Sequence, residues 1–269
     1  MNLRQLALDA LLLRSHDEKC AAARAVAAIA AIASTVDERQ MAKPDRRRLA
    51  SEALPGRAVR PPLVPPAQLA RRPVNSVAGR AALFHSLAHI ELNAVNLALD
   101  IVWRFDDLPA DFYRQWIGVA REEADHFELL HQHLQALGFA YGDFPAHDGL
   151  WEMAERTSGD LLARLALVPR TLEARGLDAA PPIRDKLQGV GDDRGAAILE
   201  IILRDEIGHV AIGNHWYRWL CERRGLEPLE CYAELAQRYR APRLRGPFNL
   251  EARRAAGFEE HELAALLGP

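Results

Sequence analysis

Apolar residues recur along this chain at the three- and four-residue spacing of α-helices, and strand-like alternation is nearly absent. Four long stretches with this spacing predict helices at about 80–105, 110–137, 150–176 and 193–223. Two of the connections are rich in turn-forming residues, and the region after the third stretch holds two adjacent prolines. Helices long enough to cross a domain, joined in this way, predict an all-α four-helix bundle.

The segments on either side of the four stretches have a different character. Residues 1–53 predict one or two helices, with helical spacing over 3–35. Residues 54–79 contain six prolines and predict an extended connector that lies over the surface. The tail, 224–269, predicts short helices and loops. We therefore expect one main domain at 80–223, with additional N-terminal and C-terminal helices.

Each of the four predicted helices carries a glutamate on or near its apolar face. The neighbours of Glu91, Glu123 and Glu206 at helical spacing are apolar or histidine, with no lysine or arginine among them. These carboxylates are predicted to point into the core, where each needs a cation or a proton. Glu173 is the fourth glutamate, although Arg170 interrupts its face.

Two of these glutamates are followed three residues later by histidine, and the spacing is repeated. A Glu-x-x-His pair places a carboxylate and an imidazole on one side of a helix, which suits iron, manganese or zinc. Glu91 precedes Glu123 by 32 residues, and Glu173 precedes Glu206 by 33 residues. The sequence thus predicts two metal ions, bridged by Glu123 and Glu206. The six predicted ligands are Glu91, Glu123, His126, Glu173, Glu206 and His209.

Other histidines and glutamates fit the pattern less well. Glu128 and His131 also have the Glu-x-x-His spacing, but Glu128 lies about 140° around the helix from Glu123. We expect Glu128 to lie outside the metal site. His85 and His89 are predicted to serve in helix packing or in support of the ligands. Structural ion pairs and hydrogen-bonded core histidines remain the alternative to a metal site.

The third predicted helix contains a proline, Pro169, four residues before its glutamate. Proline lacks a backbone donor and should kink or open the helix. Such an opening would make room for a small molecule beside a metal.

Composition excludes several classes of protein. Lys and Arg total 34 against 37 Asp and Glu, so the net charge of −3 gives no reason to expect nucleic acid or an anionic membrane. An arginine-rich stretch at 238–245 leaves a phosphate-bearing partner open. The three cysteines form no CxxC pair, which argues against a disulfide framework or thiolate metal site. No apolar tract is long enough to span a membrane, and we expect a soluble cytosolic protein.

Stretches such as AHIELNA, YGDFPAHDGLWE, RDEIGHVAIG and LRGPFN resemble an uncharacterised ferritin-like family, a domain of unknown function. The order of the six ligands over 80–223 also resembles the ferritin-like di-metal carboxylate superfamily. This resemblance implies a ferritin-like bundle with two metal ions. It also implies that Glu122 and Asp205 occupy acidic positions that support metal-bound histidines.

Iron is the first expected metal, with manganese or an iron–manganese pair as alternatives. Two ferrous ions can activate dioxygen, so the chain is predicted to be a non-haem hydroxylase or monooxygenase that uses an electron donor and an unidentified substrate. Leu130 stands where the radical-forming ribonucleotide reductase subunit has tyrosine, which argues against that role. A peroxide-detoxifying enzyme and a non-catalytic metal-binding bundle that acts through a partner remain alternatives. The oligomeric state stays open, a dimer included.

Overall fold

The structure is a computed structural model in which helices, turns and loops make up the described residues. The described residues are 2–32, 42–47, 53–70 and 72–267. Within them no strand forms, and no helix is long and apolar enough to cross a membrane. The chain divides into two compact units, an N-terminal unit, Met1–Asp148, and a C-terminal unit, Gly149–Pro269.

Four α-helices are found among the described residues of the N-terminal unit: α1 (Leu3–Leu12), α2 (His16–Ile32), α3 (Val77–Arg104) and α4 (Ala110–Ala136). The two longest, α3 and α4, form a hairpin, against which α1 and α2 pack. Leu3, Leu8 and Leu11 are fully buried, so α1 contributes to the core of this unit. The predicted end of the first helical region, at 33–35, lies outside the described residues, as do 36–41 and 48–52.

The described part of the Pro-rich connector contains no α-helix before α3 begins at Val77, and it is mostly irregular backbone with one 3-10 turn at Pro66–Gln68. The Gly56 N–H donates to the Leu11 carbonyl at 2.9 Å, and the Val64 N–H donates to the Ala146 carbonyl at 2.8 Å. A Cβ at position 56 would come within 2.0 Å of a carbonyl oxygen of α1. Only glycine therefore allows the connector to approach α1 this closely.

Seven α-helices and one π-helical segment, Val168–Glu173, are described in the C-terminal unit. Both α6 and α7 pack along the long helix α8. The helices are α5 (Gly149–Arg156), α6 (Leu161–Leu167), α7 (Ala174–Gly189), α8 (Asp193–Arg224), α9 (Pro228–Arg238), α10 (Leu250–Ala255) and α11 (Glu260–Leu267).

The third predicted helix, 150–176, differs from the structure in two respects. It is interrupted after α5, where the Asp160 side chain accepts hydrogen bonds from two N–H groups and starts α6. The two prolines expected to end it, Pro181 and Pro182, instead lie inside α7. Burial of Leu177 and Leu187 stabilises α7 and outweighs the loss of backbone hydrogen bonds at the prolines.

Candidate metal centre

The α3–α4 hairpin brings Glu91, Glu123 and His126 together in the interior of the N-terminal unit. One ligand atom of each lies within 4.8 Å of those of the other two. The His126 Nδ1 atom is 3.2 Å from Glu123 Oε2 and 3.7 Å from Glu91 Oε2. The exposed fractions are 5% for Glu91, 0% for Glu123 and 1% for His126. We call these residues the Glu-Glu-His group, and its donor atoms could hold a metal ion.

Apolar neighbours at helical spacing explain why these polar side chains are buried. Residues one and two turns away on the same faces of α3 and α4 are apolar, and each is at most 2% exposed. The pattern of the sequence therefore predicted the orientation of both glutamates. These neighbours are Phe84, Ala88 and Val95 on α3, and Trp116, Ala120 and Phe127 on α4.

Burial and mutual charge change the proton affinities within the Glu-Glu-His group. Burial, followed by repulsion from Glu123, raises the pKa of Glu91 to about 8. Burial by itself would lower the pKa of His126, but hydrogen bonds and charge attraction from Glu123 and Glu91 outweigh it and raise this pKa to about 11. The metal-free group therefore holds protons at neutral pH that a metal ion would replace.

The other predicted residues of this hairpin lie where the helical period puts them. Glu128 is partly exposed and accepts a hydrogen bond from Gln132 at 2.8 Å, away from the buried group. His85 accepts a hydrogen bond from the Gly142 N–H at 2.9 Å. His89 lies 2.7 Å from the Tyr141 hydroxyl, so both histidines take part in packing.

In the C-terminal unit, α8 carries the second Glu-x-x-His pair. Glu206 is 8% exposed and His209 is 1% exposed. The His209 Nδ1 atom lies 3.6 Å from Glu206 Oε1. Glu173, at the end of the π-helical segment, is partly buried and is the least enclosed of the six predicted ligands.

The π-helical segment is the opening that Pro169 predicts. Proline cannot donate to the preceding turn, and the helix widens there instead of ending. A Cβ on Gly213 would lie 2.6 Å from the Pro169 Cβ. Gly213 is four residues after His209 on the same face of α8. The widened turn thus packs beside the face that carries the second pair.

Arg170 interrupted the predicted apolar face of Glu173, and the structure shows how its charge is accommodated. Only 4% exposed, it pairs with Glu262 of α11 and donates to Asn214 Oδ1 at 2.9 Å. Its guanidinium also lies 4.8 Å from the centre of the Phe258 ring. The buried cation therefore has its own anion and aromatic contact.

The two acidic residues implied by the family resemblance have arginine partners. Glu122 pairs with Arg121 at 2.6 Å, and Asp205 pairs with Arg204 at 2.8 Å. Both acids are partly exposed. Their support of metal-bound histidines stays a prediction.

Two features of the N-terminal unit were missed by the sequence interpretation. His16, Asp17 and His131 bring three potential ligand atoms within 4.8 Å, although no local motif connects them. Lys19 is only 2% exposed. The burial of Lys19 could have been predicted from the sequence, because Lys19 precedes Ala23, Val26 and Ala30 at helical spacing on the buried face of α2.

Comparison with known proteins gives a family. Residues 13–264 match the family described as "Protein of unknown function (DUF455)". A Haemophilus influenzae relative described as an uncharacterized protein is 49% identical over 211 residues, covering 76% of this chain and 73% of the relative. No solved structure matches the chain. The family match spans nearly the whole sequence, including both Glu-x-x-His pairs, and the chain therefore belongs to the DUF455 family.

Proposed function

We propose that this protein is a ferritin-like di-iron oxidoreductase of the hydroxylase or monooxygenase type. The observation that carries the proposal is the buried Glu-Glu-His group of the N-terminal unit. In this proposal two metal ions are bound by Glu91, Glu123, His126, Glu173, Glu206 and His209.

The chemistry of the buried group fits a divalent transition metal. Two carboxylates and one imidazole offer oxygen and nitrogen donors suited to iron or manganese. The raised pKa values of Glu91 and His126 leave the metal-free group with a proton on Glu91 and a charged His126 beside Glu123 at neutral pH. A divalent cation would replace these protons and balance both ionised carboxylates.

The repeated pattern supports two ions rather than one. In the C-terminal unit, Glu206 and His209 repeat the Glu-x-x-His pair, and Glu173 precedes Glu206 by 33 residues. This order of ligands is that of the di-metal carboxylate proteins. The repeat therefore supports a ferritin-like assignment.

Bound ferrous ions would supply the electrons that activate dioxygen. The chain's own contribution is to hold the ligands and to exclude water. Phe84, Trp116 and Phe127 are at most 2% exposed, so the helix faces that carry Glu91 and Glu123 are apolar and shielded from water. The π-helical segment packs closely against Gly213, on the face of α8 that carries the second pair. These features favour hydroxylation over the storage of metal.

Metal analysis of two matched variants tests the ligand assignment. Wild-type protein from metal-replete cells should contain about two transition-metal ions per chain, measured by inductively coupled plasma mass spectrometry. Glu123→Ala should lose bound metal, because Glu123 is fully buried beside His126. Glu128→Ala on the same helix should retain it, because Glu128 is partly exposed. Equal losses in the two variants would contradict the assignment.

Reaction with oxygen tests the chemistry. Anaerobic protein loaded with ferrous iron should consume dioxygen on mixing and develop visible absorption, and Glu123→Ala should do neither. Iron-loaded wild-type protein that consumes no dioxygen would leave a metal-binding bundle without the proposed activity.

A further inference from the structure

A second site lies in the N-terminal unit, in a cavity of about 300 Å³. The connector forms one wall, α2 and α3 form the others, and Tyr141 lies at one side. Glu91 does not line this cavity. His89 and Asn93, which do, are each two positions from Glu91 and so lie on nearly the opposite side of α3. The cavity is therefore distinct from the Glu-Glu-His group.

The charged residues that line this cavity all have the same sign. Arg14, Arg57 and Arg60 contribute three positive charges, and Lys19 contributes a fourth when it is protonated. No carboxylate is among the described lining residues. Arg57 is balanced in part by Asp148, whose carboxylate lies 2.5 Å away. The walls thus carry an excess of positive charge, which attracts anions from solution.

Lys19 shows that this charge is built into the interior. Its ammonium group, on a side chain 2% exposed, donates to the Gly56 carbonyl at 2.8 Å and to Asn96 Oδ1 at 2.6 Å. Both acceptors are neutral. Burial, followed by repulsion from Arg57, lowers the pKa of Lys19 to about 7. A bound anion would favour the charged form of Lys19 and would offset the repulsion between Lys19 and Arg57.

The rest of the cavity gives room for an organic part. Leu63 and Leu92 line it together with Pro61 and Pro62 of the connector. The prolines fix the shape of this wall, because their backbone has few alternative conformations. An inorganic anion alone would leave this apolar surface without a contact.

We propose that this cavity binds a small organic dianion, a phosphate monoester or a dicarboxylate, with its charged groups at Lys19, Arg57 and Arg60. Guanidinium and ammonium groups bind both kinds of anion through charge-assisted hydrogen bonds. The apolar part of the ligand packs against the connector and Leu92.

Titration calorimetry on the full-length protein tests this site with two probes. Phenyl phosphate and phthalate present the same ring with a phosphate or with two carboxylates, so they distinguish the two sources of charge. Saturable 1:1 binding of either probe is expected, weakening as salt is added. Arg60→Gln, at an exposed position, should weaken binding about tenfold by removing one charged contact. Lys19→Met should weaken it at least as much.

Two variants provide the controls. Arg114→Gln removes an arginine of α4 that pairs with Asp111 and does not line the cavity, so it should not change probe affinity. Glu123→Ala should also bind both probes normally, which separates this site from the proposed metal centre. Absence of saturable binding to both probes would overturn the proposal. So would equal weakening by Arg60→Gln and Arg114→Gln, or loss of binding in Glu123→Ala.

Discussion

The ion pair between Arg170 and Glu262 links the π-helical segment to α11, and Glu262→Gln should destabilise the C-terminal unit. Both side chains are 3% exposed. The Glu262 carboxylate also accepts a hydrogen bond from the Glu259 N–H at 2.8 Å. Glutamine keeps the size and one acceptor oxygen but removes the charge. The substitution leaves the Arg170 guanidinium buried without its carboxylate.

Breaking a buried ion pair by removal of one partner costs about 3–5 kcal/mol. The remaining contacts of Arg170 place the expected cost at the lower end of that range. The Asn214 Oδ1 atom still accepts a hydrogen bond at 2.9 Å, and the ring centres of Phe258 and Tyr217 lie 4.8 and 5.0 Å from the guanidinium. We therefore expect Glu262→Gln to lower the free energy of unfolding by about 3 kcal/mol.

Urea unfolding followed by circular dichroism measures this loss, and α11 offers a matched control. Glu260 belongs to the same helix but pairs with Arg254 at the surface, where its side chain is 72% exposed. Glu260→Gln should leave the unfolding midpoint nearly unchanged, because solvent screens that pair. If Glu262→Gln destabilised the protein no more than Glu260→Gln, the ion pair would not stabilise the fold as argued.

Three further predictions follow from other parts of the chain. The pKa of Glu91 is raised to about 8 and that of His126 to about 11, so manganese binding at pH 7 should release up to two protons and should tighten as pH rises. Calorimetry in buffers of different ionisation heat measures the number of protons released, and zero release would contradict the prediction. Gly213→Ala should destabilise the protein by about 1–3 kcal/mol, because the added Cβ would overlap the proline ring of the π-helical segment. Gly208→Ala should instead stabilise α8 by about 0.5–1 kcal/mol, because no atom lies within 4 Å of the added Cβ. Urea unfolding of both variants measures the difference. The pKa of Lys19 is about 7 in the folded protein and about 10.5 in the unfolded chain. The free energy of unfolding of wild type, relative to that of Lys19→Met, should therefore rise by about 2 kcal/mol from pH 7 to pH 9. Urea denaturation at the two pH values tests this, and an unchanged difference would show that the amine keeps its proton.

The sequence predicted the parts of the fold that depend on local periodicity. The long helices α3, α4 and α8 and the burial of Glu91, Glu123 and Glu206 all follow from apolar residues at helical spacing. Proline composition likewise predicted that the connector would not form an α-helix, because proline restricts the backbone of its own residue, although a 3-10 turn forms at Pro66–Gln68 and α3 already begins at Val77.

Features that depend on distant partners could not be predicted in this way. The apolar pattern treated Arg170 as an interruption, because its anion, Glu262, follows 92 residues later. The adjacent prolines predict a break between helices but lie inside α7, since local propensity does not include the packing of that helix against α8. Lys19 and Arg57 line one cavity only because the connector folds back over α2, which periodicity does not reveal.

Two backbone amides of the connector donate hydrogen bonds to residues outside it. Gly56 and Val64 donate to Leu11 and Ala146, which lie on separate parts of the N-terminal unit. Hydrogen–deuterium exchange at these two amides would report the detachment of the connector from each anchoring point. Such local opening has its own free energy, smaller than that of global unfolding.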